Sequence, residues 1–189
     1  MKFNRVYKAL EKNSFSHEGY TIVPIRYEDR YNILKWRNEQ IYHLRQSKPL
    51  TKEEQDRYFN EIVRNLFEEE RPCQMLFSYL KDEECIGYGG LVHINWADKN
   101  SEISFIMDTQ LEKDEFEKHW SNYLKLIEEV AFQELKLHKL HTYAFDLRPK
   151  IYKVLENAGF TKEAVLREHC LYNQKFIDVI IHSKFNKNE

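Results

Sequence analysis

The sequence predicts an α/β (α+β) domain in which a mixed, mostly antiparallel central sheet is flanked by helices. Strand-like segments at 74–80, 85–95 and 101–108 are separated by short polar turns, so they form an antiparallel meander. Segment 114–135 then places Trp120, Leu124, Ile127, Ala131 and Leu135 three or four residues apart, the spacing of a helix with one apolar face. A strand-like and a helix-like segment follow in turn, which adds a parallel crossover to the meander.

Residues 1–19 read as a short appended arm, and 20–189 as a single domain. Thr21, Ile22, Val23 and Ile25 suggest a first strand, and Pro24, which cannot donate to a ladder, argues for an edge position. The charged run after it has helical spacing, with Tyr31, Ile33, Leu34 and Trp36 on the inward side. Thr51-Lys52-Glu53-Glu54 starts a second helix with Thr51 as cap. That helix should reach about Glu69 with Tyr58, Phe59, Ile62, Val63 and Leu66 inward. After the meander and the long helix, 139–145 alternates like a strand, Pro149 suits a first helical turn, and Gly159 suits a left-handed cap. Segments 164–172 and 175–185, joined by Asn173-Gln174, read as a closing hairpin.

Composition narrows the function classes. A chain of 189 residues with 42% hydrophobic and 14% aromatic residues can bury a real core. Twenty-nine basic and 31 acidic residues give a formal charge of −2, which favours neither nucleic acid nor an acidic membrane as partner. Cys73, Cys85 and Cys170 are odd in number and far apart, which suits reduced thiols better than a disulfide frame or a zinc site. No metal is expected. The first residues carry no apolar targeting region and no later stretch is long enough to span a bilayer, so a cytoplasmic protein is expected, monomer or homodimer.

Three stretches occur in an order that resembles one family. The first is Leu34-Lys35-Trp36-Arg37-Asn38, followed by the Thr51 helix start. The second is Glu84-Cys85-Ile86-Gly87-Tyr88-Gly89-Gly90-Leu91, then Ser101-Glu102-Ile103-Ser104-Phe105-Ile106-Met107. The third runs from Val130-Ala131-Phe132-Gln133-Glu134-Leu135 to Leu140 and ends in Tyr152-Lys153-Val154-Leu155-Glu156-Asn157-Ala158-Gly159-Phe160. Together they resemble the GNAT N-acetyltransferase superfamily, especially its branch of ribosomal-protein N-terminal and nucleotide-linked amino-sugar acetyltransferases. The likeness covers nearly all of the chain after Tyr20.

The resemblance implies acetyl-CoA as co-substrate. It also implies a strand, here carrying Phe105, Ile106 and Met107, that splays from its neighbour and offers main-chain groups to the pantetheine arm. In the family a glycine-rich turn at a helix start holds the pyrophosphate. Here Lys113 stands at the family's Arg or Gln, while Phe116 and Lys118 stand at two glycines. Phosphate contact is therefore expected to shift to Lys113, Lys118 and the amides of His119, Trp120 and Ser121, the lysines being otherwise solvated helix residues.

Amine acylation needs a base for the nucleophile and an acid for the leaving thiolate. Leu155 stands where many relatives keep a tyrosine acid, so the candidates become Tyr152 one turn earlier, Glu102 and Tyr143 on the splayed strands, and His93. Each has a plain alternative as a packing or strand-edge residue. For the acceptor, the resemblance points to Trp36, Arg37 and Asn38, with Tyr42, His43 and Arg45 able to extend an anion site. The alternatives are Trp36 as a core residue and Arg37 paired with an acidic neighbour.

The expected function is transfer of an acetyl group to a primary amine, with a nucleotide-linked amino sugar as one candidate acceptor. Alternatives are a protein N-terminus or other small amine as acceptor, an inactive acyl-CoA-binding module, or a structural domain that pairs through exposed aromatics.

Overall fold

The structure, a computed structural model, describes residues 3–187. One eight-stranded sheet runs through it in the order β1-β2-β3-β4-β5-β6-β8-β7. β1 (Phe15–His17), β2 (Tyr20–Pro24), β3 (Met75–Lys81), β4 (Glu84–Asn95) and β5 (Asn100–Met107) each pair antiparallel with the next. β6 (Lys139–Phe145) is parallel to β5, and β7 (Thr161–Tyr172) with β8 (Lys175–Phe185) closes the far edge as a hairpin. The helices that flank the sheet are α1 (Arg30–Glu39), α2 (Lys52–Arg57), α3 (Arg64–Leu66), α4 (Thr109–Asp114), α5 (Phe116–Glu128) and α6 (Lys150–Asn157). A π-helical turn, Tyr58–Val63, joins α2 to α3, and another, Glu129–Glu134, extends α5.

Local chemistry sets the boundaries. The Thr51 hydroxyl accepts from the Glu54 amide at 3.2 Å while the Glu54 carboxylate accepts from the Thr51 amide at 2.9 Å, a reciprocal cap at the start of α2. α6 ends at Gly159, φ +86°, with Phe160 N–H donating to the Leu155 carbonyl and Gly159 N–H to that of Glu156, the paired bonds of a Schellman cap. Asn173 and Gln174, at φ 46° and 63°, make the hairpin turn of left-handed residues that matches strand twist.

Several expectations change. The arm at 1–19 joins the core through Tyr7, Leu10 and Phe15, and Phe15 lies in β1. The buried Tyr7 hydroxyl donates to the Leu76 carbonyl and accepts from its amide. β1, not β2, is the edge strand, and Pro24 lies past the three residues that β1 covers, so its missing N–H leaves no gap in a ladder. Tyr31, Tyr58 and Ile62 are exposed, whereas Phe59, Val63 and Leu66 form the inward face of the α2–α3 rod. Phe59, Val63 and Leu66 stand four and three residues apart, one ordinary helical stripe, and the neighbouring positions Tyr58 and Ile62 fall beside that stripe on the solvent side. No helix among the described residues is long and apolar enough to cross a membrane. All three cysteines are free thiols.

Candidate active site

β5 and β6 pair over only three steps, ending at Glu102 opposite His141. Beyond that point β5 stays with β4 as far as Met107 and β6 stays with β8 as far as Phe145, so each strand follows its own antiparallel neighbour and the two part. Trp120 from α5 and Ile151 from α6, both 3% exposed, line the gap. The result is a cleft of about 450 Å³ between the strands, bordered by β4, by α1 and by the 43–45 loop. The Ile103–Phe105 main chain on this side lacks a sheet partner, and Thr142 contributes a buried hydroxyl with no hydrogen-bond partner among the described residues.

Glu102 is the centre of a charged cluster in the cleft. The residue is 6% exposed, and its carboxylate takes the Arg45 guanidinium on one oxygen and His93 Nδ1, at 2.9 Å, on the other. His93 reaches it because β4 carries a bulge between Val92 and Asn95, where His93 adopts φ +51°. An ionised carboxylate accepts only, so in a neutral imidazole it places the proton on Nδ1 and leaves Nε2 with the lone pair. Arg45 also lies over the Tyr143 ring, 4.6 Å from its centroid. Burial, reinforced by the neighbouring Cys170 thiol 3.6 Å away, pushes the Tyr143 phenol up to about 12. The Tyr143 phenol therefore keeps its proton across the neutral range.

Of the four candidate catalytic residues the cleft collects Glu102, His93 and Tyr143 but not Tyr152. Tyr152 points elsewhere, its hydroxyl on the Asp146 carboxylate at 2.7 Å and its ring stacked on His182. Ile151, one residue earlier and about 100° round the helix, takes the cleft-facing position. Among the acceptor candidates, Arg37 lines the cleft, while Trp36 is core at 3% exposure with its indole N–H on Asp108. Asn38 holds the following loop, its amide bridging the Leu50 main chain and Gln46.

The co-substrate candidates divide in the same way. Phe105, Ile106 and Trp120 border the cleft, whereas Met107 is buried with its carbonyl taken by the Gln40 amide. His119 faces the opposite side of α5, edge-on to Tyr20 and Tyr79. Its amide is bonded to the Glu115 carbonyl, and those of Trp120 and Ser121 lie deeper in the helix, so the free amides at the helix start are Phe116, Glu117 and Lys118. Lys118 is paired with Glu115, and Lys113 is exposed.

The Phe116 ring that replaces the first glycine is 5% exposed and carries Lys150 Nζ at 4.1 Å and Arg148 at 5.7 Å from its centroid. The splayed main chain and the unsatisfied Thr142 hydroxyl fit a pantetheine arm with its thioester. Around Phe116, the position where the resemblance expects a phosphate-binding turn, the cationic side chains of Lys150 and Arg148 lie over the ring. Arg148 was not signalled by any motif. Its place just after a parallel strand, where ligands gather in such sheets, was the available clue.

The family model described as an acetyltransferase (GNAT) domain matches residues 22–181. Among solved structures, a spermidine N-acetyltransferase from Vibrio cholerae in complex with CoA and spermine superposes with a TM-score of 0.79 at 17% identity. It covers 90% of this chain and 97% of that one. The dodecameric structure of the same enzyme in an intermediate state gives 0.73 at 19% identity, covering 90% and 95%.

Proposed function

As a member of the GNAT acetyltransferase domain family, this chain is an acetyl-CoA-dependent N-acetyltransferase, and we propose that its acceptor is a small primary amine. The observation that carries the reading is the Glu102–His93–Tyr143 cluster inside the β5–β6 splay. The structural relatives are described as acting on spermidine, with spermine bound in one of them, which supports a small free amine over the nucleotide-linked amino sugar expected from sequence.

In this reading the thioester lies along the unpaired main chain of Ile103–Phe105, with Thr142 available to it. His93, held by Glu102 in the tautomer that exposes Nε2, accepts the proton of the attacking amine. As the C–N bond forms and the C–S bond breaks, Tyr143 donates its proton to the departing sulfur, a role that suits a phenol held protonated.

Thermal unfolding with acetyl-CoA is the direct test, because a ligand that binds only the folded chain raises its melting temperature in proportion to occupancy. A saturable rise, together with thiol release that requires an amine, is expected. No rise at concentrations near ~1 mM, the upper end of ordinary substrate constants, overturns the assignment.

A further inference from the structure

From the charges of the cleft we infer that the acceptor amine also carries an oxyanion, a carboxylate or a phosphate, which Arg37 receives. This rests on the reading of the chain as an N-acetyltransferase and specifies its substrate class.

Three guanidiniums, Arg37, Arg45 and Arg148, line the cleft, and Glu102 is the single carboxylate among its lining residues. Arg45 is matched by Glu102, and Arg148 lies 3.7 Å from the Glu112 carboxylate outside the cleft. Arg37 differs from both. Its Nε donates to the Gln46 side-chain carbonyl at 3.1 Å and its Nη1 to the Tyr88 hydroxyl at 2.7 Å, and both partners are neutral. Among the described residues no carboxylate comes within ion-pair distance of it, and Nη2 has no acceptor.

A half-buried guanidinium held at two points by an amide and a phenol, with both Nη2 N–H groups and one Nη1 N–H left over, keeps donors for the oxygens of an anion. The same charges act against a polyamine. A second ammonium group would share the cleft with Arg37, and the one carboxylate present is already taken by Arg45 and His93. His43, the remaining ionisable lining side chain, is held neutral by burial and by Arg148, with its pKa lowered to about 3, and supplies no anion. The acceptor's amine then meets His93 and Glu102 while its acidic end meets Arg37 across the cleft.

The test compares n-propylamine, 3-aminopropanoate, 2-aminoethyl phosphate and spermidine as acceptors for the purified full chain, by thiol release from acetyl-CoA. A preference in kcat/KM of about 10-fold or more for the two acidic amines over n-propylamine is expected, the lower end for a hydrogen bond to a charged group. Whichever acid is preferred tells carboxylate from phosphate. Arg37→Gln should collapse the ratio towards one, and Arg37→Lys, which keeps the charge but loses the fork, should leave an intermediate ratio, each checked for an unchanged melting temperature. Spermidine as the better substrate overturns the inference and leaves the transferase intact, as does an Arg37→Gln variant whose defect is lost acetyl-CoA binding.

Calorimetric titration of 2-aminoethyl phosphate in the presence of CoA provides a reading independent of turnover. Binding that needs Arg37 without turnover of any amine upholds the anion site and overturns the transferase reading. Neither binding nor turnover overturns both.

Discussion

In the proposed mechanism His93, Glu102 and Tyr143 act as a unit because each is held by a different neighbour. The bulge in β4 turns His93 onto Glu102, Arg45 neutralises the other carboxylate oxygen, and the Arg45 guanidinium over the ring fixes Tyr143. Glu102→Gln keeps the shape but allows the amide N–H to donate to Nδ1, which moves the imidazole proton to Nε2 and removes the acceptor from the cleft. A fall in kcat of about 10²-fold or more is expected, with acetyl-CoA stabilisation retained. His93→Gln should match it, and the double variant should be no slower than either single one, since the proposed mechanism gives the pair one proton transfer. Additive losses would separate the two residues. Residue types for this chemistry were legible in the sequence, but Tyr152 and Tyr143 could not be ranked there. Which of two tyrosines faces a cleft depends on helix phase and strand splay, and neither is written in the local pattern.

β4 is the element that the rest of the site depends on. It lies between β3 and β5 through most of its length, and its glycines allow that close approach. A Cβ on Gly90 would stand 1.9 Å from the Met75 carbonyl oxygen, and one on Gly89 would stand 2.1 Å from that of Ser104. Both obstacles are backbone, so relief requires a strand to move. Gly90→Ala is expected to destabilise the fold by roughly 1–3 kcal/mol, the usual range for overpacking. For a chain of this size that lowers the melting temperature by about 2–4 °C per kcal/mol. An unchanged melting temperature would show that β3 and β4 can separate freely. Periodicity located β3, β4, β5, β6 and β8 to within a residue or two because alternation reports a half-buried strand directly. β1 was missed because Phe15–His17 is three residues long, too short for alternation to show. The π-helical turns were missed because they add residues to a turn without changing composition.

Across the whole molecule, burial holds several imidazoles neutral. His43, His119, His141 and His182 all have lowered pKa values, chiefly through desolvation. The unfolded chain protonates them near the ordinary value of about 6.5, so below that pH the unfolded state binds more protons and stability falls as the pH falls. Each pH unit below about 6.5 should cost on the order of 1 kcal/mol for every imidazole that stays neutral in the native state. Melting temperatures taken from pH 8 to pH 5 should decline below about 6.5, and a flat profile would mean that these side chains protonate in place. The sequence by itself determined the sheet-and-helix class, most of the element order and the family, because these rest on local periodicity, caps and motifs that survive without knowing what packs where. Only the tertiary structure decided that Tyr7, Leu10 and Phe15 of the arm join the core, that Tyr152 is outside the cleft, and that among the described residues Arg37 lacks a carboxylate partner while Arg45 has one. Those facts depend on distances between residues far apart in the chain, fixed by how β5 and β6 part and which side chains fill the space between them.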